Sequence, residues 1–268
     1  MIMEINKIYN EDCLTTMANM PSGAVDLTVT SPPYDNLRTY AGYLFDFIRV
    51  AGELFRVTKN GGVVVWVVND ATIDGDETGS SFRQAVHFKE IGFKLHDTMI
   101  WHKLNPMPTQ HIRYENSFEF MFVLSKGKPD TTNILREPTK SGGAIRTKHR
   151  ASSGKKDSPN NDGLYITSET KIRHNVWEIP IGTTRGVPHA APFPEKLARD
   201  HILSWSNEAD LVYDPFIGSG TTAKMAILTK RNYIGSEISE EYYEFANKRI
   251  RMASVEAVTP DLFGTEGY

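Results

Sequence analysis

Apolar positions along the 268-residue chain fall into two alternating rhythms. Short β-branched runs suit strands, and between them lie longer stretches whose apolar residues recur every three or four positions, as amphipathic helices require. That order predicts an α/β protein with a mostly parallel sheet covered by helices. Residues 5–9 and 25–30 read as strands joined by a helix over 14–20. Residues 43–57 have helical spacing, with Leu44, Phe47, Ile48, Ala51, Leu54 and Phe55 on one face, and Lys59, Asn60, Gly61 and Gly62 form its expected stop. The run 63–68 is β-branched apart from Trp66, which fits a strand buried on both faces. A helix over 80–91 follows, then strands over 93–102 and 118–124, the second an antiparallel partner of the first.

Regular patterning then stops. Residues 125 to about 175 are rich in Gly, Ser, Thr, Asn, Pro and Lys. Structure resumes at 176–180, with a helix over 195–206, a strand over 211–214, a helix over 221–229, a strand over 232–236 and a last helix over 240–253. The reading is one catalytic domain over 1–268, with 126–175 as an insertion.

Composition narrows the function. A 40% apolar chain of this length folds around a substantial core, and a net charge of −3 rules out bulk positive charge as a route to nucleic acid. The insertion is different: Arg136, Lys140, Arg146, Lys148, Arg150, Lys155 and Lys156 stand against the single acid Glu137 within 136–156. Such a cluster could be a solvated surface or a phosphate-contacting face. No run of about eighteen apolar residues occurs and the N-terminus lacks a signal-like pattern, so the chain reads as cytoplasmic. The lone Cys13 excludes an internal disulfide, and His87, His96, His102 and His111 have no metal-ligand spacing, so no metal is expected. The tryptophans lie in apolar runs and read as core.

Two motifs carry chemistry. Thr30-Ser31-Pro32-Pro33-Tyr34 follows an apolar strand directly. The amino nitrogen of a nucleobase is a poor nucleophile because its lone pair is delocalised into the ring. A polar side chain followed by a main-chain carbonyl can accept both amino hydrogens and free that lone pair. Two prolines make the turn rigid, and the preorganisation lowers the barrier. An aromatic residue after them offers a face on which an extruded base stacks. The plainer alternative is a tight turn ending a strand. The second motif, Asp214-Pro215-Phe216-Ile217-Gly218-Ser219-Gly220-Thr221-Thr222, is a strand, a glycine turn and a helix start, which suits the carboxylate end of an amino-acid-like ligand. Glu237 ends the next strand, where an acid commonly holds ribose hydroxyls.

Together these motifs resemble the amino-methyltransferases of bacterial restriction-modification systems, in the circularly permuted order of the beta group. The resemblance covers nearly the whole chain outside 126–174. It implies a Rossmann-like fold with a mostly parallel seven-stranded sheet and one antiparallel strand, S-adenosyl-L-methionine as cofactor, and double-stranded DNA as substrate. A cognate restriction endonuclease is a further implied partner, with the enzyme acting as monomer or homodimer. Ser31, Pro32, Pro33 and Tyr34 take the catalytic role, Ser31 facing the transferred methyl group. Asn10-Glu11-Asp12-Cys13 is similar to the segment whose acid, here Asp12, binds the cofactor's adenine, with Cys13 beside it. His189 to Leu197 is similar to the helix entry that lies against the methionine part, which implicates Phe193, Pro194 and Lys196. The cofactor set is completed by Asp214, Pro215, Phe216, Gly218, Ser219, Gly220, Thr221, Thr222 and Glu237. The basic insertion occupies the target-recognition position, and Arg38 joins its cations as a DNA contact.

Serine before Pro-Pro-Tyr is the family's usual form for cytosine N4, with adenine N6 the near rival. A cysteine nucleophile for carbon 5 of cytosine is missing, since Cys13 lies beside Asp12 and away from any proline-cysteine loop. A nucleotide-dependent oxidoreductase would explain the glycine turn and Glu237 but not residues 30–34, and a DNA-binding protein without activity would need neither Asp12 nor Glu237.

Overall fold

The computed structural model describes residues 3–33, 45–106, 113–147, 164–181 and 194–258. In chain order these form β1 (Lys7–Tyr9), α1 (Cys13–Ala18), β2 (Val25–Thr30), α2 (Phe47–Val57), β3 (Thr58–Val68), β4 (Thr72–Ile73), β5 (Asp76–Glu77), α3 (Ser80–Glu90), β6 (Lys94–Lys103), β7 (Phe118–Ser125), β8 (Arg136–Pro138), β9 (Ile145–Thr147), β10 (Leu164–Ile166), β11 (Thr170–Ile172), β12 (Val176–Ile179), α4 (Glu195–Trp205), β13 (Leu211–Asp214), α5 (Thr221–Leu228), β14 (Asn232–Ser236) and α6 (Glu240–Val258). They divide into two compact units, Met1–Asn133 with Asn175–Tyr268, and Ile134–His174.

The first unit is built on an eight-stranded sheet in the order β1-β14-β13-β2-β3-β7-β6-β12. Only β7 runs antiparallel, hydrogen-bonded to β3 on one side and β6 on the other. Eight strands replace the expected seven, because β12 adds itself in parallel to the edge of β6, Trp177 opposite Trp101. The β12 segment is the one where the sequence pattern resumes, at 176–180, so the seven that the resemblance implies is one fewer than the pattern itself supplies.

Valine-rich β3 is the centre of the molecule. Val63 to Val68 are all essentially inaccessible, as strands covered on both faces must be. On one face Met17 of α1, Leu54 of α2 and Phe88 of α3 close around Trp66. Burying each such side chain contributes roughly 1.5–3 kcal/mol. Trp66 still satisfies its one polar atom, donating from Nε1 to Gln84 Oε1 at 2.8 Å. The helices α4, α5 and α6 contribute the buried Leu197, Ile202, Ala223, Ala226 and Ala246, none of which belongs to that cluster. All four tryptophans are core residues.

The glycines expected to stop α2 lie inside β3. The helix ends one step earlier, where Thr58 caps it by donating its hydroxyl to Leu54 O at 2.6 Å, and the chain turns straight into the strand. A register shift opposite Val25 and Leu27 absorbs residues 59–62. Gly61 has φ +83°, and any side chain there would run into Asp130.

The second unit is not irregular. It holds two small antiparallel ladders, β8 with β11 and β9 with β10. Backbone bonds from Thr139 N to Glu169 O (2.8 Å) and from Thr167 N to Ala144 O (2.9 Å) lie between them. Strands of three residues leave no alternation to read in a sequence.

Candidate active site

Because β1, β14, β13, β2 and β3 are parallel, their carboxyl ends share one edge of the sheet. The chain leaves β13 through α5 toward β14, and leaves β2 through α2 toward β3. The adjacent pair β13 and β2 is therefore the switch point of the sheet, where open α/β folds bind ligands. Asp12 follows β1, Ser31 follows β2, Asp214 ends β13 and Glu237 follows β14. Folding thus brings four sequence-predicted residues, spread over 226 positions, to neighbouring strand ends.

Each is held differently. Asp12 caps α1, its Oδ1 accepting Leu14 N–H at 2.7 Å. Glu237 is largely buried, and its two oxygens each take one backbone N–H, from Gly218 at 2.9 Å and Ser239 at 2.8 Å. Burial pushes its carboxyl pKa up against those bonds. Asn10 adds a bond from its side-chain amide to Glu237 O at 2.9 Å, clamping the strand end. Asp214 is enclosed completely and accepts from Thr30 Oγ1 (2.6 Å), Thr222 Oγ1 (2.7 Å) and Phe216 N (3.0 Å). Burial raises its pKa to about 6, with those three donors opposing the rise.

The turn between β13 and α5 needs its glycines. Gly218 and Gly220 have φ +49° and +81°, and a Cβ on Gly220 would sit 3.0 Å from that of Ala246 on α6. Gly220 is also the N-cap of α5, so no side chain covers the first amides of the helix. Ser219 is buried, with Arg249 Nη1 donating to its carbonyl at 2.8 Å and to its hydroxyl at 3.0 Å. The other end of Arg249 meets Glu195 at 2.6 Å, which also receives Lys224 at 2.9 Å. One carboxylate on α4 thereby ties α5 and α6 to the turn, and the two cations hold its pKa down against burial. Pro215 and Thr221 are buried, and Phe216 packs edge-on against Phe45 with ring centres 5.4 Å apart.

Other assignments land elsewhere. Cys13 is the first residue of α1 rather than part of a strand end, and it is buried in the apolar cluster under the sheet. Ser31 and Pro33 are half-buried and Pro32 is buried. Pro194 is the N-cap of α4, and Lys196 pairs with Asp200 one turn on, at 3.0 Å. Tyr34, Arg38, Lys148, Arg150, Lys155, Lys156 and Phe193 lie outside the described residues, as does the side chain of Arg146. Arg136 is exposed and donates to Thr170 Oγ1 and O, both at 2.9 Å, while Lys140 is exposed on the same unit. Glu137, the single acid of the sequence cluster, is neutralised by Lys171 at 2.9 Å. Asn10, Thr30 and Arg249 were not assigned from sequence. Thr30 and Asn10 left a signal there, each lying inside a quoted motif beside an assigned residue, and Arg249 left none.

Comparison with known proteins decides what kind of site this is. The family pattern of N6/N4 DNA methylases matches residues 25–248. The chain belongs to the N6/N4 DNA methylase family. The orphan methyltransferase M.BamHII of Bacillus amyloliquefaciens is 53% identical over 243 residues, covering 87% of this chain and 91% of that one. The type II methyltransferase M.Cfr9I of Citrobacter freundii is 27% identical over 296 residues, covering 93% and 89%. Among solved structures, TTHA0409 of Thermus thermophilus in complex with S-adenosyl-L-methionine superimposes with a TM-score of 0.64 at 27% identity, covering 92% of this chain and 94% of that one. The fold is that of S-adenosyl-L-methionine-dependent methyltransferases, and the family acts on DNA amino groups.

The residues of this methylase fit such a cofactor. The uncapped start of α5 leaves backbone N–H groups for a carboxylate, while those of Gly218 and Gly220 are taken by Glu237 and by the Ile217 carbonyl. Acids at two nearby strand ends suit hydroxyl and amino groups, since a carboxylate oxygen already taking one N–H retains a second lone pair.

Proposed function

We propose that this DNA amino-methyltransferase acts on the N4 nitrogen of a cytosine turned out of the duplex. The observation that carries the reading is the juxtaposition at the switch point: Ser31-Pro32 leaves β2 directly beside the strand that opens into the glycine turn. When bound, S-adenosyl-L-methionine supplies the activated methyl group. Glu237 and Asp12 hold its ribose and adenine, while the start of α5 takes the methionine end, for which the helix-entry segment with Phe193 and Pro194 is the further candidate.

The protein's own part is to prepare the nucleophile. Ser31 Oγ and the Pro32 carbonyl accept the two amino hydrogens and draw the nitrogen toward a tetrahedral shape. Pro32 and Pro33 hold those acceptors in place before the substrate arrives, and Tyr34 stacks on the base. No cysteine adduct is formed. Serine before Pro-Pro-Tyr is the family's usual form for cytosine N4, and adenine N6 is the second reading because its amino group presents the same two hydrogens.

The unit Ile134–His174 is the target-recognition region. It carries nine Lys and Arg against four Asp and Glu in a protein of net charge −3, so its own charge is strongly positive. Its cations would contact phosphates, with Arg38 as a further contact.

Plasmid DNA modified in cells by the wild type and by Ser31→Ala should be digested to nucleosides and weighed. The expected result is N4-methylcytosine from the wild type and none from the variant. N6-methyladenine alone would overturn the cytosine assignment, and full activity of Ser31→Ala would overturn the catalytic one.

A further inference from the structure

A carboxylate that contacts a ligand has to reach it, and that of Asp214 does not point outward. The residue is 1% exposed, and its oxygens are taken up by donors from three segments: Thr30 of β2, Thr222 of α5 and the amide of Phe216 in its own turn. Each donor sits beside a predicted functional residue. Thr30 directly precedes Ser31, Thr222 belongs to the first turn of the helix behind the glycines, and Phe216 leads into Gly218.

The sheet itself does not hold these pieces together. Backbone pairing between β13 and β2 covers Val212 with Leu27 and Tyr213 with Thr28, and stops there. Past that point the two strand ends, which carry the target turn and the cofactor turn, are joined by side chains instead of a ladder. Hydrogen bonds to an ionised acceptor in a water-excluded place are short and strong, which suits them to fixing a distance.

We infer that Thr30 is a positioning residue for methyl transfer: through Asp214 and Thr222 it sets how far the Ser31–Pro32 turn stands from the cofactor turn. Asp214 is then a second positioning residue rather than a cofactor contact. This rests on the methyltransferase reading above. A misplacement of about 1 Å between reacting groups costs on the order of 100-fold in rate, so the bridge matters even though it touches neither substrate.

The test is Thr30→Val, which keeps the shape and removes the donor, with Thr30→Ser as the conservative control. The expected kcat of the valine variant falls roughly 10- to 100-fold. S-adenosyl-L-methionine affinity, measured by calorimetry without DNA, stays near the wild-type value, and the serine variant recovers most of kcat. The acid limb of the kcat profile also moves to higher pH in Thr30→Val. Losing a hydroxyl donor favours the protonated form of Asp214, while the other titratable groups coupled there, Tyr213 and Glu237, are unchanged. Should Thr30→Val fail to fold, Thr30→Ala removes the same donor in a smaller side chain and carries the same expectation.

A valine variant with wild-type kcat overturns the inference. So does a drop in melting temperature with no loss of kcat below it, since that marks a purely structural bond. A wild type that methylates no DNA sinks the functional reading and the inference together, whereas an active wild type beside an unaffected variant sinks the inference alone.

Discussion

Asp214→Asn changes the stability of the protein in a pH-dependent way that can be worked out in advance. Burial lifts the Asp214 carboxyl from 3.8 to about 6, and that difference corresponds to about 3 kcal/mol between the folded and unfolded chains. The direction follows from where the proton is held more tightly. Between pH 4 and 6 the folded protein binds more protons at this site than the unfolded chain. The stability associated with Asp214 is therefore full below about pH 4 and is lost as pH rises through 6. Asparagine cannot ionise, so it contributes only a constant offset. One of its two polar atoms is a donor, so either Thr30 or Thr222 loses its acceptor, at about 1–2 kcal/mol. Urea unfolding followed by tryptophan fluorescence, run on both proteins from about pH 4.5 to 7.5, isolates the term. Groups remote from Asp214 titrate alike in the two and cancel, while Glu237, whose pKa the Asp214 charge helps to raise, adds to the difference in the same direction. Wild-type stability relative to the variant should decline by about 2 kcal/mol across that range. A difference flat to within about 0.5 kcal/mol would mean that the carboxylate titrates normally, and the account of its burial would be wrong.

Other changes test the scaffold around the site. Gly220→Ala should cost about 1–3 kcal/mol, because alanine must adopt φ +81° and press its methyl against Ala246; an unchanged melting temperature would refute this. Asp70→Ala should destabilise the start of α3 by about 1–2 kcal/mol, since Gly79 offers no side-chain cap and Asp70 accepts Ser81 N at 2.9 Å in its place. The check is faster amide exchange over residues 80–84, and exchange at the wild-type rate would count against it. Arg249→Met removes the brace on the Ser219 carbonyl while keeping the bulk of the side chain, so S-adenosyl-L-methionine binding should weaken by about tenfold with DNA affinity unaffected. Equal binding by the variant would show that the turn holds its shape without help.

Strand and helix placement was legible wherever the chain makes a strong periodic pattern. β2, β13 and β14 have the bounds that their β-branched runs mark out, and Val63 to Val68 is buried as its composition requires. Legibility failed where a few residues act through partners far away. The stop at Gly61 and Gly62 is a register shift fixed by Asp130 and by pairing with β2, neither of which is visible locally. The ladders of the second unit were missed because each strand has three residues and its stability comes from cross-strand bonds. At the site, sequence named Asp12, Ser31 and Glu237, and the fold brings them to neighbouring strand ends. The residues bonded around them, Thr30, Asn10 and Arg249, are common types with no spacing rule, and only the fold reveals what they touch.

Because β13 slots between β14 and β2, a strand from the last quarter of the chain completes a sheet begun by residues near its start. During synthesis the segment carrying Ser31 emerges early and must wait for some two hundred further residues, including Asp214, Thr222 and Glu237, before its groove has a second wall. Such distant pairing is slow to form. A nascent chain, or one broken off before residue 211, would carry the Ser31–Pro33 turn without β13, the glycine turn and Glu237, beside which the fold places it. Premature termination therefore yields an inert fragment rather than a stray modifier of the genome.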